Sequence, residues 1–204
     1  RMPEDMGGGN IGHVFGVDGT KEEDLTKGII DARKRMQEYE YYYTHYLEGY
    51  EKAFLVSTGA NLGIRETRRI IGEYILNTED YEKRASFDDE IGRYCYPIDL
   101  HPVEPGVAKT KYEEDYTKGY GKGNSYGIPY RCLLPKNTEN LLVAGRCIST
   151  SREMNGSTRV MPCCFITGMA AGAAAAFSKD SNVRAVSVSS LRRELRKRGA
   201  YLPE

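Results

Sequence analysis

The sequence predicts an α+β fold, and three stretches carry that prediction. Apolar residues recur at helical spacing in the first quarter of the chain, which indicates one long helix over about residues 21–50. Short runs rich in β-branched residues follow, and they indicate a mixed or antiparallel sheet within residues 1–138. Residues 139–178 then have the pattern strand, glycine-containing turn and apolar helix, and a last helix falls within residues 179–204. We therefore divide the chain into these three segments.

The composition of the 204-residue chain excludes several classes of protein. Its 29 basic and 29 acidic residues balance, so the charge gives no reason to expect nucleic acid or an anionic membrane as a partner. The five cysteines form no CxxC motif and the three histidines are scattered, which speaks against a metal site and against a disulfide scaffold. We expect a soluble protein with reduced thiols and no membrane span, in a compartment that the sequence leaves open.

The long helix has a start signal and an aromatic stripe. Thr20 and Glu23 have the spacing of a capping box, in which two side chains satisfy the first free amides of a helix. The apolar stripe of the helix ends in tyrosines, at Tyr39, Tyr43, Tyr46 and Tyr50. Such a stripe is more often part of a core than of a cofactor site, so we expect it to be buried. A surface that docks a partner is the alternative.

Six runs have the length or the β-branched content of strands: residues 13–17, 53–57, 64–76, 91–99, 126–134 and 140–144. Residues 79–83 are expected to form a helical turn, and residues 109–125 a surface loop. Three arginines, Arg65, Arg68 and Arg69, lie in the third run, where they could clamp a carboxylate or pair with neighbouring glutamates. His101 follows the fourth run and is a candidate general acid, although a lone histidine is usually structural.

Residues 140–177 have the pattern of an anion-binding or dinucleotide-binding site. Pro162 suits the first turn of the helix that follows the glycine-containing turn. Arg159 lies just ahead of this helix, whose N-terminal dipole attracts negative charge. Gly168 and Gly172 lie one turn apart among alanines, so we expect a mostly buried helix that packs through these glycines. A core helix without a ligand is the alternative.

The last helix is predicted from a cap, an apolar pair and a stop signal. Ser189 or Ser190 would cap it, Leu191 and Leu195 would form its apolar face, and Gly199 would end it. Its arginines are expected to be solvated.

Several motifs in order resemble a known family. They are VDGTKEEDLTKGIIDARKRM, AFLVSTGANLGIRETRRIIGEY, YCYPIDLH, IPYRCLLPKNTENLLVAGRCIS, GSTRVMP and GMAAGAAAA. From about Val17 to Leu202 the chain resembles the C-terminal portion of the FAD-dependent oxidoreductases that are grouped with the succinate dehydrogenase and fumarate reductase flavoproteins. It is most similar to the bacterial branch of that group.

The resemblance implies a fold, a cofactor and a set of site residues. It implies a substrate-binding β-sheet domain with helices, joined to the C-terminal strand–helix of an FAD-binding Rossmann-like domain. FAD would exchange a hydride with a small organic substrate. The residues implied beside the cofactor are Gly145, Arg146, Ser157, Arg159 and Pro162. The residues implied on the substrate side are Arg65, Arg68, His101, Tyr130 and Arg131.

The sequence departs from this family in one respect that affects function. The strand, GxGxxG loop and helix that grip the ADP half of FAD are absent, since the GxGxxG at residues 7–12 precedes a predicted strand instead of opening a helix. We therefore expect a C-terminal fragment whose partner is a missing N-terminal FAD-binding half, and which is inactive alone. The alternative function is a non-catalytic module that docks a partner through the tyrosine-rich helix.

Overall fold

The computed structural model describes residues 7, 9, 11–101 and 120–203. Most of the loop predicted at residues 109–125 lies outside this part of the chain. The chain divides between Thr67 and Arg68 into two compact units, an N-terminal unit and a C-terminal unit. The helices and strands in the described residues are α1 (Glu22–Tyr46) in the first unit, then α2 (Thr78–Glu82), β1 (Glu90–Tyr94), β2 (Tyr126–Pro129), α3 (Arg152–Thr158), α4 (Met161–Phe177) and α5 (Val188–Lys197) in the second.

Helix α1 confirms the predicted long helix, but the predicted capping box is wrong. The residue before the helix is Lys21, and it makes no side-chain capping bond. The hydroxyl of Thr20 instead donates to Asp18 Oδ1 at 2.7 Å, and the Thr20 amide donates to the same oxygen at 3.0 Å. The helix starts one residue later than the box requires, and the residue at its N-cap position is a lysine, whose ammonium cannot accept a bond from the first amides. Acidic residues in the first turn of α1 suit the positive end of its dipole.

The expected burial of the tyrosine stripe is wrong at its C-terminal end. Gly28 is the buried residue of α1, because Leu62 and Val17 pack close above its backbone. Tyr46 and Tyr50 are exposed, by 68% and 48%. The earlier positions of the stripe are half-buried. The predicted strands at residues 13–17 and 53–57 do not form, so among the residues that the structure describes in this unit there is no sheet for α1 to pack on.

The C-terminal unit contains a small antiparallel sheet. Strands β1 and β2 pair from Tyr94 opposite Tyr126 to Glu90 opposite Pro129, with an irregularity between Glu90 and Gly92. Among the described residues this two-stranded sheet is the only one. The chain therefore has the α+β character predicted for it, while the strand–helix of a Rossmann-like domain is not formed here.

Two predicted strands are extended segments without a regular ladder. Residues 64–76 form isolated bridges at Gly72 and Leu76, and residues 140–144 form none. Single backbone hydrogen bonds join these segments to other parts of the chain. One example is the Ile70 N–H, which donates to the Cys147 carbonyl at 2.9 Å. The predicted run 126–134 is a strand only as far as Pro129 and then turns into a 3-10 helix. Extended backbone alone does not make a strand, because a ladder needs an aligned neighbour.

The predicted helices of this unit form close to their expected bounds. Helix α2 confirms the helical turn at residues 79–83, and α4 starts one residue before Pro162. Helix α5 confirms the last helix, with Leu191 and Leu195 fully buried, although its cap is Ser187.

The arginines of α5 are not all solvated as predicted. Arg192 donates to the Glu90 carbonyl at 3.0 Å, and Arg196 donates to the Leu202 carbonyl at 3.1 Å. These bonds fasten the C-terminal residues and β1 to the helix. Gly199 has φ +90°, a left-handed conformation that ends the helix as predicted.

The predicted packing of α4 through its glycines is wrong within the described residues. Gly168 and Gly172 are exposed, and no atom lies within 4 Å of where a Cβ would stand on either. Met161 and Phe165 are exposed on the same side. We call these four residues the glycine face. The opposite side of α4, which includes Cys163, Thr167, Ala170 and Ala174, is buried and contacts β1 and α5.

In the described residues, no single helix is long and apolar enough to cross a membrane. Helices α3 and α4 meet that test only as a pair, and they are bent by 90° at their junction.

Candidate functional site

The predicted cofactor residues meet where α3 turns into α4, a region we call the corner. Helix α3 begins after Ser151, whose hydroxyl accepts the Met154 amide at 3.1 Å. It ends at Arg159, and α4 starts two residues later with Pro162 exposed in its first turn. Because proline fixes a helical φ and has no N–H, it favours a new helix at this point.

A glycine turn is fastened to the side of the corner. Gly145 has φ +78°, a conformation that residues with a Cβ rarely adopt. Its N–H donates to the hydroxyl of Thr167 in α4 at 3.0 Å. A Cβ at this position would lie 3.9 Å from the sulfur of Cys164 and meet nothing nearer. The turn therefore presents open backbone beside the first turns of α4.

Asn155 connects the glycine turn to Arg159. Its side-chain amide donates to the Arg146 carbonyl at 3.1 Å, and its own carbonyl accepts the Arg159 amide at 3.0 Å. The side chain is fully buried, yet its Oδ1 has no hydrogen-bond partner among the residues that the structure describes. A buried acceptor without a donor is costly, so this atom marks a place where a ligand or water donor fits.

In the sequence, Asn155 begins an Asn-Gly-Ser glycosylation signal, which has the appearance of a chance match. Its burial rules out a glycan at this position in the folded chain. The one sequence signal for a buried Asn155 was its position as a polar residue among small residues, just before an apolar helix.

Arg159 and His101 share one carboxylate, that of Asp99. Arg159 Nη2 lies 3.1 Å from Asp99 Oδ2, and His101 Nε2 lies 3.2 Å from Asp99 Oδ1. Gly156 permits this arrangement, because a Cβ there would lie 3.0 Å from the Asp99 carbonyl oxygen. The structure thus brings a predicted cofactor residue and a predicted substrate-side residue together through a residue that the sequence analysis did not single out.

Ser157 supports the corner from inside the protein. Its side chain is fully buried, and its hydroxyl donates to the Tyr96 carbonyl at 2.5 Å. The phenol oxygen of Tyr126 lies 2.6 Å from the same Ser157 hydroxyl. Burial raises the pKa of the Tyr126 phenol well above its usual value. Ser157 holds the corner to β2, and its hydroxyl is turned to protein groups.

With this geometry in view, the chain can be compared with known proteins. The family model for FAD dependent oxidoreductases matches residues 4–195. The chain belongs to this family. It is a flavoprotein oxidoreductase with FAD as its cofactor. Comparison with curated proteins and with solved structures returned no match.

The corner combines three features that bear on ligand binding: open backbone, a buried acceptor and nearby cations. The turn at Gly145 leaves room for a flat ring to approach the backbone, and Asn155 Oδ1 is an acceptor without a donor in the described structure. Arg146 is exposed at the turn, and the dipole of α4 adds positive potential there. Asp99 offsets much of the charge of Arg159.

Tyr130 and Arg131 lie away from the corner. The Tyr130 hydroxyl donates to the Val183 carbonyl at 2.9 Å, beyond the C-terminal end of α4, whereas Arg159 precedes its start. A helix of 17 residues is about 25 Å long. Burial raises the pKa of Tyr130 to about 12. Arg131 pairs with Asp89, whose hydrogen bond raises its pKa.

Tyr130 and Arg131 line an open cleft of about 400 Å³. The cleft is also lined by Arg184, so it combines cations with the carboxylate of Asp89. It is a separate cleft of the C-terminal unit, and apolar side chains line it together with these charged ones.

The arginines of the predicted clamp are divided between the two units. Arg65 lies in the N-terminal unit, and Arg68 begins the C-terminal unit, where it is exposed. Arg69, the third of them, donates from Nε to the Thr150 carbonyl at 3.3 Å. Within the C-terminal unit, Arg69 is therefore the arginine of residues 64–76 that contacts the segment before α3.

Proposed function

We propose that this chain supplies the flavin-facing corner and the substrate side of an FAD-dependent oxidoreductase. The observation that carries the proposal is the corner itself, where the Gly145 turn, Asn155 and Arg159 are fastened together beside an exposed helix start. When FAD is bound, its flavin ring exchanges a hydride with a small organic substrate. The residues of this chain bind and orient the flavin ring and the substrate, and they supply positive charge.

The residues of the corner have different tasks in this proposal. Gly145 lets the ring approach the backbone, and Arg146 places positive charge near it. The amides of Cys163 and Cys164 donate to the Val160 carbonyl, so the helix start acts through its dipole more than through free N–H groups. Pro162 and Ser157 fix the geometry, one by its ring and one from the core.

We further propose that the ADP half of FAD is held by another part of the protein. Residues 139–178 would close a Rossmann-like domain completed by an N-terminal half, as in the bacterial relatives of the succinate dehydrogenase and fumarate reductase flavoproteins. Two observations support this. Residues 141–144 are extended without a ladder partner in the described chain, and the apolar glycine face of α4 is exposed. On this proposal the 204 residues alone have no turnover.

The substrate side is assigned first to His101, because it reaches the corner through Asp99. Arg65, Arg68, Tyr130 and Arg131 stay predictions as catalytic residues. The cleft at Tyr130 and Arg131 provides polar groups for a substrate only if it faces the flavin in the complete protein.

A titration with three ligands tests the proposed site. If the chain contacts the flavin end and not the ADP end, FMN and FAD should bind weakly with similar affinity, and ADP should not compete. Arg146→Gln should weaken both by about two- to fivefold, the size expected for one exposed charge. Arg193→Gln, at an exposed arginine of α5, is the matched control and should change neither. Chain that keeps stoichiometric FAD through gel filtration would contradict the two-part proposal.

Alkylation of cysteines locates the bound ring independently. Cys147 is exposed at the end of the glycine turn, and Cys95 is exposed just after β1. At saturating FMN, the alkylation rate of Cys147 should fall while that of Cys95 stays constant. Equal protection of both thiols, or of neither, would place the flavin elsewhere.

The second candidate function is the non-catalytic module that docks a partner through α1. Tyr41, Tyr42 and Tyr46 are exposed, and the rings of Tyr42 and Tyr46 stack with centroids 5.7 Å apart. Aromatic side chains are enriched at protein interfaces. This candidate predicts that flavin binding, if any, is independent of Arg146, so the titration above separates the two functions.

A further inference from the structure

We propose that a cleft in the C-terminal unit, separate from the corner, binds the phosphate group of a small molecule. The cleft has a volume of about 350 Å³. We call it the arginine cleft, and the argument uses six of the residues that line it: Arg84, Ser86, Arg93, Asn124, Ser125 and Tyr201. None of them belongs to the corner, and the family match assigns a role to none of them. The inference therefore goes beyond the function proposed above.

Positive charge is in excess behind the arginine cleft. Arg93 Nη1 lies 2.9 Å from Glu90 Oε2, and Arg192 Nη1 lies 3.8 Å from Oε1 of the same carboxylate. Among the described residues Arg93 and Arg192 have no other ion pair, so two guanidiniums share one carboxylate. The side chains of Arg93, Arg192 and Glu90 are only 8%, 14% and 3% exposed, so water screens this excess poorly. An uncompensated buried charge is costly, and an anion in the cleft would offset it.

Arg84 adds a second positive charge whose donors are available. Its guanidinium carbon lies 5.2 Å from the centroid of the Tyr120 ring, in a cation–π contact. Such stacking uses the face of the guanidinium and leaves the N–H groups at its edge unused. In the part of the chain that the structure describes, these N–H groups make no hydrogen bond and no ion pair. Arg84 is exposed, so a ligand in the cleft can reach this edge.

Two serine hydroxyls of the cleft are held by Arg93. Its Nη1 donates to Ser86 Oγ and its Nε to Ser125 Oγ, both at 2.9 Å. Each hydroxyl oxygen thus accepts a charge-assisted bond, and its own hydrogen stays available as a donor. Neither hydrogen has an acceptor among the described residues. One sheltered guanidinium therefore fixes two donors on opposite walls, one after α2 and one before β2.

The turn at residues 121–124 adds a third group of donors. Gly121 has φ +87°, and a Cβ there would lie 2.9 Å from the side-chain nitrogen of Asn124. The Asn124 side chain makes no hydrogen bond within the described residues. Lys122, an exposed residue of the same turn, adds positive potential on this side of the cleft.

This arrangement suits a phosphate better than a carboxylate. A carboxylate presents two oxygens in one plane, whereas a phosphate monoester presents three oxygens in a tetrahedral arrangement and carries a charge of about −1.5 to −2 at pH 7. Donors in the arginine cleft come from three segments of the chain, so three oxygens can be bound at once. The ring of Tyr201, which is 72% exposed, is available to contact the organic part of the ligand.

Titration of the nitrogen-15-labelled 204-residue chain with inorganic phosphate, at constant ionic strength, tests the site without flavin. The amide signals of Gly123 and Ser125 should shift and saturate, while that of Gly145 in the corner should not move. Arg84→Gln should weaken phosphate binding by about tenfold, the loss expected for a charge-assisted contact. Arg193→Gln removes the same charge from an exposed position of α5, so it is the matched control and should leave binding unchanged.

A second variant and two competitors complete the test. Ser86→Ala keeps every charge and should weaken binding by about two- to tenfold, the size expected for one hydrogen bond. Shifts that do not saturate, or equal losses in Arg84→Gln and Arg193→Gln, would overturn the site. Acetate that binds as tightly as phosphate would overturn the choice of ligand. Saturating phosphate should leave the affinity for FMN unchanged, and displacement of FMN would contradict two separate sites.

Discussion

Helices α1 and α5 both have apolar residues at helical spacing, although the apolar face of α5 is much the sharper of the two, and their surroundings in the structure are very different. Helix α1 has 25 residues, of which Gly28 is buried, while α5 has 10 residues and fully buries Leu191 and Leu195. The period of a pattern selects the helix, because apolar residues three and four apart share one face. The elements that pack against that face decide how much of its apolar surface is buried.

The partners of the two helices explain the difference. Helix α5 contacts α4 and β1, and these elements together bury a continuous core. That core also contains an ion pair, Glu90 with Arg93 at 2.9 Å, whose side chains are almost fully buried. In the N-terminal unit α1 is followed by irregular backbone at residues 47–67, and the described part of this unit contains no sheet for it to cover. The first unit should therefore contribute less to the free energy of unfolding than the second.

The largest expected effect tests this comparison at Leu195. Leu195→Ala should lower the free energy of unfolding by about 2–5 kcal/mol, the usual cost of removing a fully buried leucine side chain. Ile30→Ala, at an exposed position of α1, should change it by about 0.5 kcal/mol or less. Urea denaturation followed by circular dichroism measures both. Equal losses at the two positions would show that α1 is as well packed as α5.

A second prediction concerns the close contact between α3 and the Asp99 segment. Gly156→Ala should cost about 1–3 kcal/mol, because the new Cβ would meet backbone atoms that cannot move alone. The same denaturation experiment measures the loss. His101 should also change its NMR signals, since Asp99 would be displaced from Arg159. A neutral Gly156→Ala would mean that this segment moves freely and that the corner is looser than its contacts indicate.

The fold could be predicted from the sequence where the signal is local. Pro162 and the run of small residues that follows it located α4 to within one residue, because helix starts and helix propensity depend on neighbouring positions. The run at residues 64–76 was misjudged. Its β-branched residues favour extended backbone, but no aligned neighbour pairs with it over a strand's length. The orientation of α4 was misjudged for the same reason, since small residues permit close packing without supplying the partner.

The residues of the candidate site, too, could be predicted only where the sequence signal is local. The turn at Gly145 and the cation Arg159 could be predicted from their position around a helix start. Asn155 and Asp99 could not, because their roles come from contacts that span 9 and 60 positions of the chain. In the sequence, Asp99 looks like any other aspartate, because its pairing with Arg159 depends on the fold.

Alkaline pH should weaken the C-terminal unit through a buried tyrosine. The pKa of Tyr130 is raised by burial to about 12, so the folded state binds the phenolic proton more tightly than the unfolded state does. The stabilisation is complete below about pH 10, the unfolded value, and is lost as the pH rises toward 12. Wild type should lose about 1 kcal/mol by pH 11 that Tyr130→Phe does not lose. Denaturation curves at pH 8 and 11 test this, and parallel losses in both proteins would contradict it.

The smallest expected effect concerns the glycine face and is informative because of its sign. Gly172→Ala should raise the free energy of unfolding of this chain by about 0.5–1 kcal/mol, since alanine is the better helix former and the added methyl meets open space. Gly168→Ala is the matched variant on the same face and should behave alike. A loss of stability would mean that the face is already packed. If a further part of the protein covers this face, the same methyl that stabilises the isolated chain should weaken that association, because a close backbone contact has no room for it. Opposite signs in the two measurements would therefore show that α4 keeps its glycines for a partner surface and not for its own fold.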